Sequence, residues 1–335
     1  MDKALRGSIL KKWKTACKSN ASGIKLPKGF LFSEENGVLT MTFQTKRGFG
    51  LDRSPCNMQE NGAAFEGWAL AVYIHYLDRK GRVCLDIPEN LPEPDESLYT
   101  KYPHFSRFLY RAIRFSEQYP WFQLSGRLEA LTKAFERFLN RYHFTNNLPT
   151  RPAGVKGKLE SVMESRFAGE DSPLRKALGG GRIYRQLPVG LFKETVAEKN
   201  HIFTGRTSAV DLWTISGSTL TVVELKAKNK MTGAVTELFF YANYAYDLFV
   251  SQSHTFVKNE NLNMTKKAVP EDRGYNALLS ASLNQVRGYL LLDPESCHPL
   301  INGGVLDELN RGRKSPQITY GCLKYELEGT VETGR

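Results

Sequence analysis

Cysteine is scarce and unpatterned. The 335 residues hold five, Cys17, Cys56, Cys84, Cys297 and Cys322, an odd number with no C-x-x-C among them. That spacing supports neither a zinc site nor a disulfide framework, and a reducing cytoplasm is the expected home. The six histidines show no metal-ligand spacing either. Long apolar runs are missing. The best, "LFFYANYAYDLFV", is broken by Asn243 and Asp247 and is too short to cross a bilayer, so no membrane association is expected. The N-terminal "MDKALRGSILKKWK" is basic but lacks the apolar core of a signal peptide. No internal repeat or low-complexity tail occurs. Acid is the scarce charge: 35 Asp+Glu stand against 46 Lys+Arg, a formal net charge of +11. Residues 1–150 hold 22 Lys+Arg and 15 Asp+Glu, so +7 of the excess lies there. A polyanionic partner follows, nucleic acid before membrane.

What is present is ordinary globular patterning. Residues 29–44 read as a hairpin about Ser-Glu-Glu-Asn-Gly. Residues 60–78 predict a helix ending before Gly81, then a strand "RVCLDIP". Two helices are expected near 103–116 and 122–143. The first carries His104, Arg107, Arg111 and Arg114 on one side, expected to be a solvated face or a phosphate-contacting one. The second has an apolar stripe of Leu124, Leu128, Leu131, Phe135, Phe138 and Tyr142. The proline-bearing "TNNLPTRPAG" (145–154) is the expected boundary between domains 1–150 and 151–335. Beyond it come a helix with Leu159, Val162, Met163 and Phe167 inward, a strand after Gly179-Gly180-Gly181, and strands near 208–215 and 219–227. An aromatic-rich helix, a polar insertion over 251–286, a strand "VRGYLLLD" and a strand "QITYGCLKYEL" complete the order.

The chemistry sits in "TSAVDLWTISGSTLTVVELKAKNK", Thr207 to Lys230. Asp211, Glu224 and Lys226 interrupt runs of core residues, and a buried isolated charge is costly. Alternation puts Glu224, Lys226 and Lys228 on one face of their strand. The "SGS" turn brings Asp211 back towards Glu224. Two converging carboxylates repel unless a cation lies between them. Their oxygens suit Mg²⁺ or Mn²⁺, which keep waters and accept phosphate oxygens. Lys226 would orient a water and offset developing charge.

Asp211 followed thirteen residues later by Glu224-Leu225-Lys226, on adjacent strands after a Glu-bearing helix, resembles the PD-(D/E)XK nuclease superfamily. The resemblance covers roughly residues 155–295. It implies an α/β, restriction-endonuclease-like core, a mixed sheet flanked by helices in the order α-β-β-β-α-β, here with an N-terminal α+β domain. It implies Asp211 and Glu224 as metal ligands, Lys226 as the catalytic lysine and Glu164 as the helical acid, with Glu160 one turn earlier as the alternative. Glu237 or Tyr241 would be the polar residue of the second helix. No proline precedes Asp211; Ala209-Val210 stands there.

The expected activity is Mg²⁺-dependent hydrolysis of phosphodiester bonds, DNA favoured over RNA, by an endonuclease of restriction or antiphage defence. The N-terminal domain would bind nucleic acid or a partner. A protein partner in a defence complex and a homodimer are both compatible with this. Two rivals stand beside it: a non-catalytic nucleic-acid-binding or scaffold subunit on the same fold, and a structure-specific repair nuclease. Other motifs are structural. Asp78-Arg79-Lys80 is a D-x-K that ends a helix before Gly81, a solvated turn. The triple glycine lacks the lysine of a phosphate loop and reads as a loop. His201 reads as exposed, and the aromatics of 239–249 as core.

Overall fold

A computed structural model describes residues 3–17, 24–44, 51, 58, 61–88, 95–147, 159–203, 208–228, 232–251, 255–259, 273–293, 296, 298–299, 303–326 and 331–333. The chain is α/β, with mixed sheets flanked by helices. It divides into two compact units. The first is Met1–Phe138, Lys230–Glu237 and Cys297–Ser315; the second is Leu139–Asn229, Leu238–Ser296 and Pro316–Arg335. The unit changes at Phe138 rather than within 145–154, and two later segments return to the first unit. Of the expected linker, residues 148–154 lie outside the described residues.

In the first unit α1 (Lys3–Ala16) buries Leu5, Ile9 and Trp13, one residue per turn. The hairpin is β1 (Phe30–Glu35) and β2 (Val38–Phe43). Glu35 pairs with Val38, leaving a two-residue Asn-Gly loop with φ of 52° and 75°. That loop's twist matches the twist of the strands, which is why Asn-Gly selects it. After α2 (Phe65–His75), β3 (Arg82–Asp86) joins β2 in parallel. Helices α3 (Glu96–Lys101) and α4 (Pro103–Gln118) precede β4 (Phe122–Leu124), which completes the sheet beside β3, and α5 (Gly126–Arg141) follows. Of the expected stripe, Leu128, Leu131, Phe135 and Phe138 are buried in α5, whereas Leu124 falls in β4 and Tyr142 beyond the helix end, both half-buried.

The arginine side of α4 is a solvated face only at its end, where half-exposed Arg114 pairs with Glu117 at 2.9 Å. Arg107 is buried and Arg111 fully so. Arg111 grips both oxygens of buried Glu66 at 2.7 Å, donates to the Ala63 carbonyl at 2.8 Å and lies over the Phe65 ring. Thr236 adds a 2.8 Å hydrogen bond to Glu66. The charge is buried because a bidentate acid answers it.

The second unit starts with β5 (Phe144–Asn146), then α6 (Leu159–Phe167) and α7 (Pro173–Ala177). Next come β6 (Ile183–Pro188), β7 (Leu191–Lys193), β8 (Ala209–Ser216), β9 (Thr219–Lys226) and α8 (Gly233–Phe249). Then β10 (Phe256–Val257), α9 (Tyr275–Ser280), β11 (Gln285–Leu292), the first unit's α10 (Gly303–Asn310), β12 (Ile318–Tyr325) and β13 (Val331–Thr333) follow. The larger sheet runs β13-β12-β11-β9-β8-β6. Strands β6, β8 and β9 are antiparallel neighbours; β9, β11 and β12 are parallel.

Each face of this sheet meets a helix. On one, Met163 and Phe167 of α6 pack against Ile183, Leu212, Val223, Leu225, Leu291 and Leu323. Each such side chain contributes about 1.5–3 kcal/mol on burial. Leu159 and Val162, expected inward, are exposed, and Glu164 is buried in their place. On the other face α8 sits close enough that a Cβ on Gly288 would lie 2.9 Å from Leu238. Phe239 stacks on Tyr320 there, and Phe240, Tyr241 and Tyr244 are core, as expected.

Candidate active site

Strands β8 and β9 pair from Ser216↔Thr219 to Leu212↔Val223, where their ladder stops. The next residues outward are Asp211 on β8 and Glu224 on β9. Beyond the last pair, the Leu225 N–H is taken by the carboxylate of Asp211, Oδ2 accepting at 2.8 Å. A side-chain oxygen thus does the work of a main-chain carbonyl as the strands part. Strand β9 continues past that point, paired with β11 along its other edge as far as Lys226↔Leu292.

Glu224 and Lys226 are 3 % and 9 % exposed. They share the face turned to α8, as alternation requires. The Lys226 Nζ donates to Glu224 Oε1 at 2.6 Å, a short charge-assisted bond. So the repulsion expected between two bare carboxylates has an answer within the chain: Asp211 is held by a backbone donor and Glu224 by an ammonium.

Glu164 and Glu160 lie on α6, on the other side of the sheet. The Glu164 Oε2 accepts from Arg185 Nη2 at 3.0 Å and Nε at 3.3 Å, and from Gln186 Nε2 at 3.2 Å. Arg185 also donates to Ser165 Oγ at 2.8 Å. Glu164 is therefore gathered with the β6 side chains and not with Glu224. Glu160 reaches the end of β9, accepting from the Ala227 N–H at 3.4 Å.

Three residues that sequence reasoning passed over complete the surroundings. Asp293, at the end of β11, accepts the Lys228 N–H at 2.7 Å and the Ser296 hydroxyl at 2.6 Å. The Tyr325 hydroxyl donates to the Lys226 carbonyl at 3.3 Å. Burial, then the charges of Asp293 and Glu160, push its phenol above the ordinary range. Arg273 donates to the Arg185 carbonyl at 2.9 Å, and burial beside Arg185 lowers its pKa although Glu164 opposes the change. A lone Asp closing the run Leu290-Leu291-Leu292 was the available signal for Asp293. Nothing in spacing marks Tyr325 or Arg273.

Among the described residues no group of three or more His, Cys, Asp or Glu is arranged to hold a metal ion. The two-carboxylate donor set still suits one metal class. Mg²⁺ is commonly held by one or two carboxylates, with waters and substrate phosphates filling the rest. Glu237 and Tyr241 are buried in α8. His201, expected to be exposed, is half-buried and bridges to Phe192, and Gly179 and Gly180 (φ 93° and 87°) form a turn before β6. Among the described residues no helix is long and apolar enough to cross a membrane. Comparison of the chain with protein-family models, curated proteins and solved structures finds no match.

Proposed function

We propose that the chain is a Mg²⁺- or Mn²⁺-dependent nuclease that hydrolyses phosphodiester bonds of DNA. One observation carries the reading. At the point where β8 and β9 part, Asp211 holds the Leu225 N–H while Glu224 and Lys226, on either side of Leu225, form a buried pair. The order α6, β6, β8, β9, α8, β11, with α7, β7, β10 and α9 interposed, is compatible with the PD-(D/E)XK resemblance.

Asp211 and Glu224 would hold the ion, which when bound supplies charge neutralisation at the phosphate and lowers the pKa of its water. The chain's own part is positional and electrostatic. Lys226 carries its proton on Nζ beside Glu224, and there it donates to an attacking water or a non-bridging phosphate oxygen. Its charge is most valuable as negative charge builds in the transition state, and burial strengthens that effect. The Tyr325 bond to the Lys226 carbonyl holds the end of β9, which limits how far the lysine moves. A role in restriction or antiphage defence is an extension from architecture alone, a second unit added to such a core.

The non-catalytic reading has one observation in its favour: Glu224 is already balanced by Lys226, so its charge has a partner without a metal. One experiment separates the two. Plasmid, single-stranded DNA and RNA are incubated with the chain in Mg²⁺, Mn²⁺ or EDTA. The nuclease reading expects DNA cleavage with either metal, none in EDTA, and none with Glu224→Ala. DNA binding without cleavage in every metal would hand the chain to the scaffold reading.

A further inference from the structure

Among the described residues Gln186 is the non-glycine residue that takes a left-handed φ, 55°, inside a strand. Its place is telling. Arg185 pairs with Leu212 and Leu187 with Val210, so Gln186 stands across from Asp211. Its neighbours fix which way it should face. Arg185 shares the face of Leu212, towards α6. Tyr184 shares the opposite face with Trp213, their rings 4.7 Å apart. By alternation Gln186 belongs with Tyr184, its amide beside Asp211 on the face of Glu224 and Lys226. The left-handed turn takes it the other way, and its Nε2 reaches Glu164 on α6. The same Glu164 oxygen holds Arg185, so one carboxylate fixes both the turning residue and the residue before it. No residue is inserted, since the pairing is one-to-one on either side of Gln186, so the left-handed φ alone re-aims the side chain.

We infer that Glu164 is a positioning residue: it holds Gln186 in the left-handed turn and so keeps the Gln186 amide off the face that carries Asp211, Glu224 and Lys226. This rests on the nuclease reading for its purpose, but not for its geometry. It departs from the helical-acid role that the resemblance implied for Glu164. Without the clamp, Gln186 relaxes to an ordinary strand conformation and its amide falls back beside Asp211. Glycine adopts the left-handed turn freely and has no amide to fall back. Glycine at this position therefore makes the clamp unnecessary.

The test is a cycle of Glu164→Ala, Gln186→Gly and the double variant, with Asp211→Asn as the ligand control. Mn²⁺ affinity is measured by calorimetry, DNA hydrolysis by initial rate, and unfolding temperature without metal. The clamp expects Glu164→Ala to slow hydrolysis at least tenfold, Gln186→Gly to stay within about threefold of wild type, and the double variant to recover to about the same level. If Glu164 is instead a ligand, its loss weakens Mn²⁺ binding as much as Asp211→Asn does, glycine rescues nothing, and the inference is overturned. Should Glu164→Ala fail to fold, Gln186→Val replaces it. A β-branched residue disfavours the turn with Glu164 intact and is expected to slow hydrolysis alike; wild-type rates from it overturn the inference. Should the wild type neither bind Mn²⁺ nor cleave, the nuclease reading fails by itself. The clamp then stands if the loss in unfolding temperature from Glu164→Ala shrinks in the Gln186→Gly background, and falls if the two losses add.

Discussion

Lys226 and Glu224 meet at 2.6 Å with side chains 11 % and 4 % exposed, and that changes what their removal should do. Two carboxylates facing each other would make the metal-free chain more stable when one is deleted. A buried acid already paired with a lysine predicts the reverse. Glu224→Ala or Lys226→Ala leaves one charge uncompensated, at a cost of about 3–5 kcal/mol each. The double change Glu224→Gln with Lys226→Met should cost clearly less than the sum, read by denaturant unfolding in EDTA. Additive losses would mean the pair is not coupled in solution. On the rate, Lys226→Met should slow cleavage by several orders of magnitude with little change in Mn²⁺ affinity, an effect on the transition state more than on binding. A second residue-scale prediction concerns pH. Burial, then the nearby charge of Arg79, lowers the pKa of His75, and its Nε2 has no hydrogen-bond partner among the described residues. The folded chain prefers neutral His75. Stability is therefore full above the ordinary histidine value of 6.5 and is lost as pH falls from there towards the lowered value. Between pH 7 and 5.5 the unfolding temperature should drop less in His75→Leu than in wild type.

At the scale of elements, local signals read well and distant partners did not. The Asn36-Gly37 loop specifies the β1–β2 hairpin through φ alone, so residues 29–44 could be read directly. The α5 stripe and the β8–β9 hairpin are likewise short-range patterns, and they located Asp211, Glu224 and Lys226. The three-residue β4 is too short to show a period, and α1 hides three buried residues among five lysines and arginines. Arg111 was misread because its partner Glu66 lies 45 residues away, a pairing that periodicity does not contain. The turn at Gln186 was invisible for the same reason: its cause is Glu164, on another element. The arginine correction carries a prediction. Arg111→Ala strands Glu66 in the core and should destabilise by about 3–5 kcal/mol. It should leave the salt dependence of nucleic-acid binding unchanged, since a fully buried guanidinium releases no phosphate counterions. A shallower slope in a variant that still folds would return α4 to the binding surface.

At the scale of the whole molecule, the +11 charge needs an address once Arg107 and Arg111 are withdrawn into the core. Helix α1 offers one. Its buried Leu5, Ile9 and Trp13 turn one side inward, and at 100° per residue Lys3, Lys11 and Lys14 gather on the opposite, exposed side. Lys12 stands apart, pairing with Asp78 at 3.2 Å. Phosphate contacts made by such lysines release counterions, and each contributes about 0.9 to the slope of log affinity against log salt. Replacing Lys3, Lys11 and Lys14 together with alanine should weaken binding alike for all DNA sequences and reduce the slope by up to about 2.7 units. Lys12→Ala should change it little. Because Asp211 and Glu224 are untouched, Mn²⁺ affinity should hold, and cleavage should fall only at DNA concentrations below saturation. That separation of KM from kcat, measured at two salt concentrations, tells a docking face from a part of the catalytic machinery. An unchanged slope in the triple variant would place the nucleic acid on some other surface of the chain.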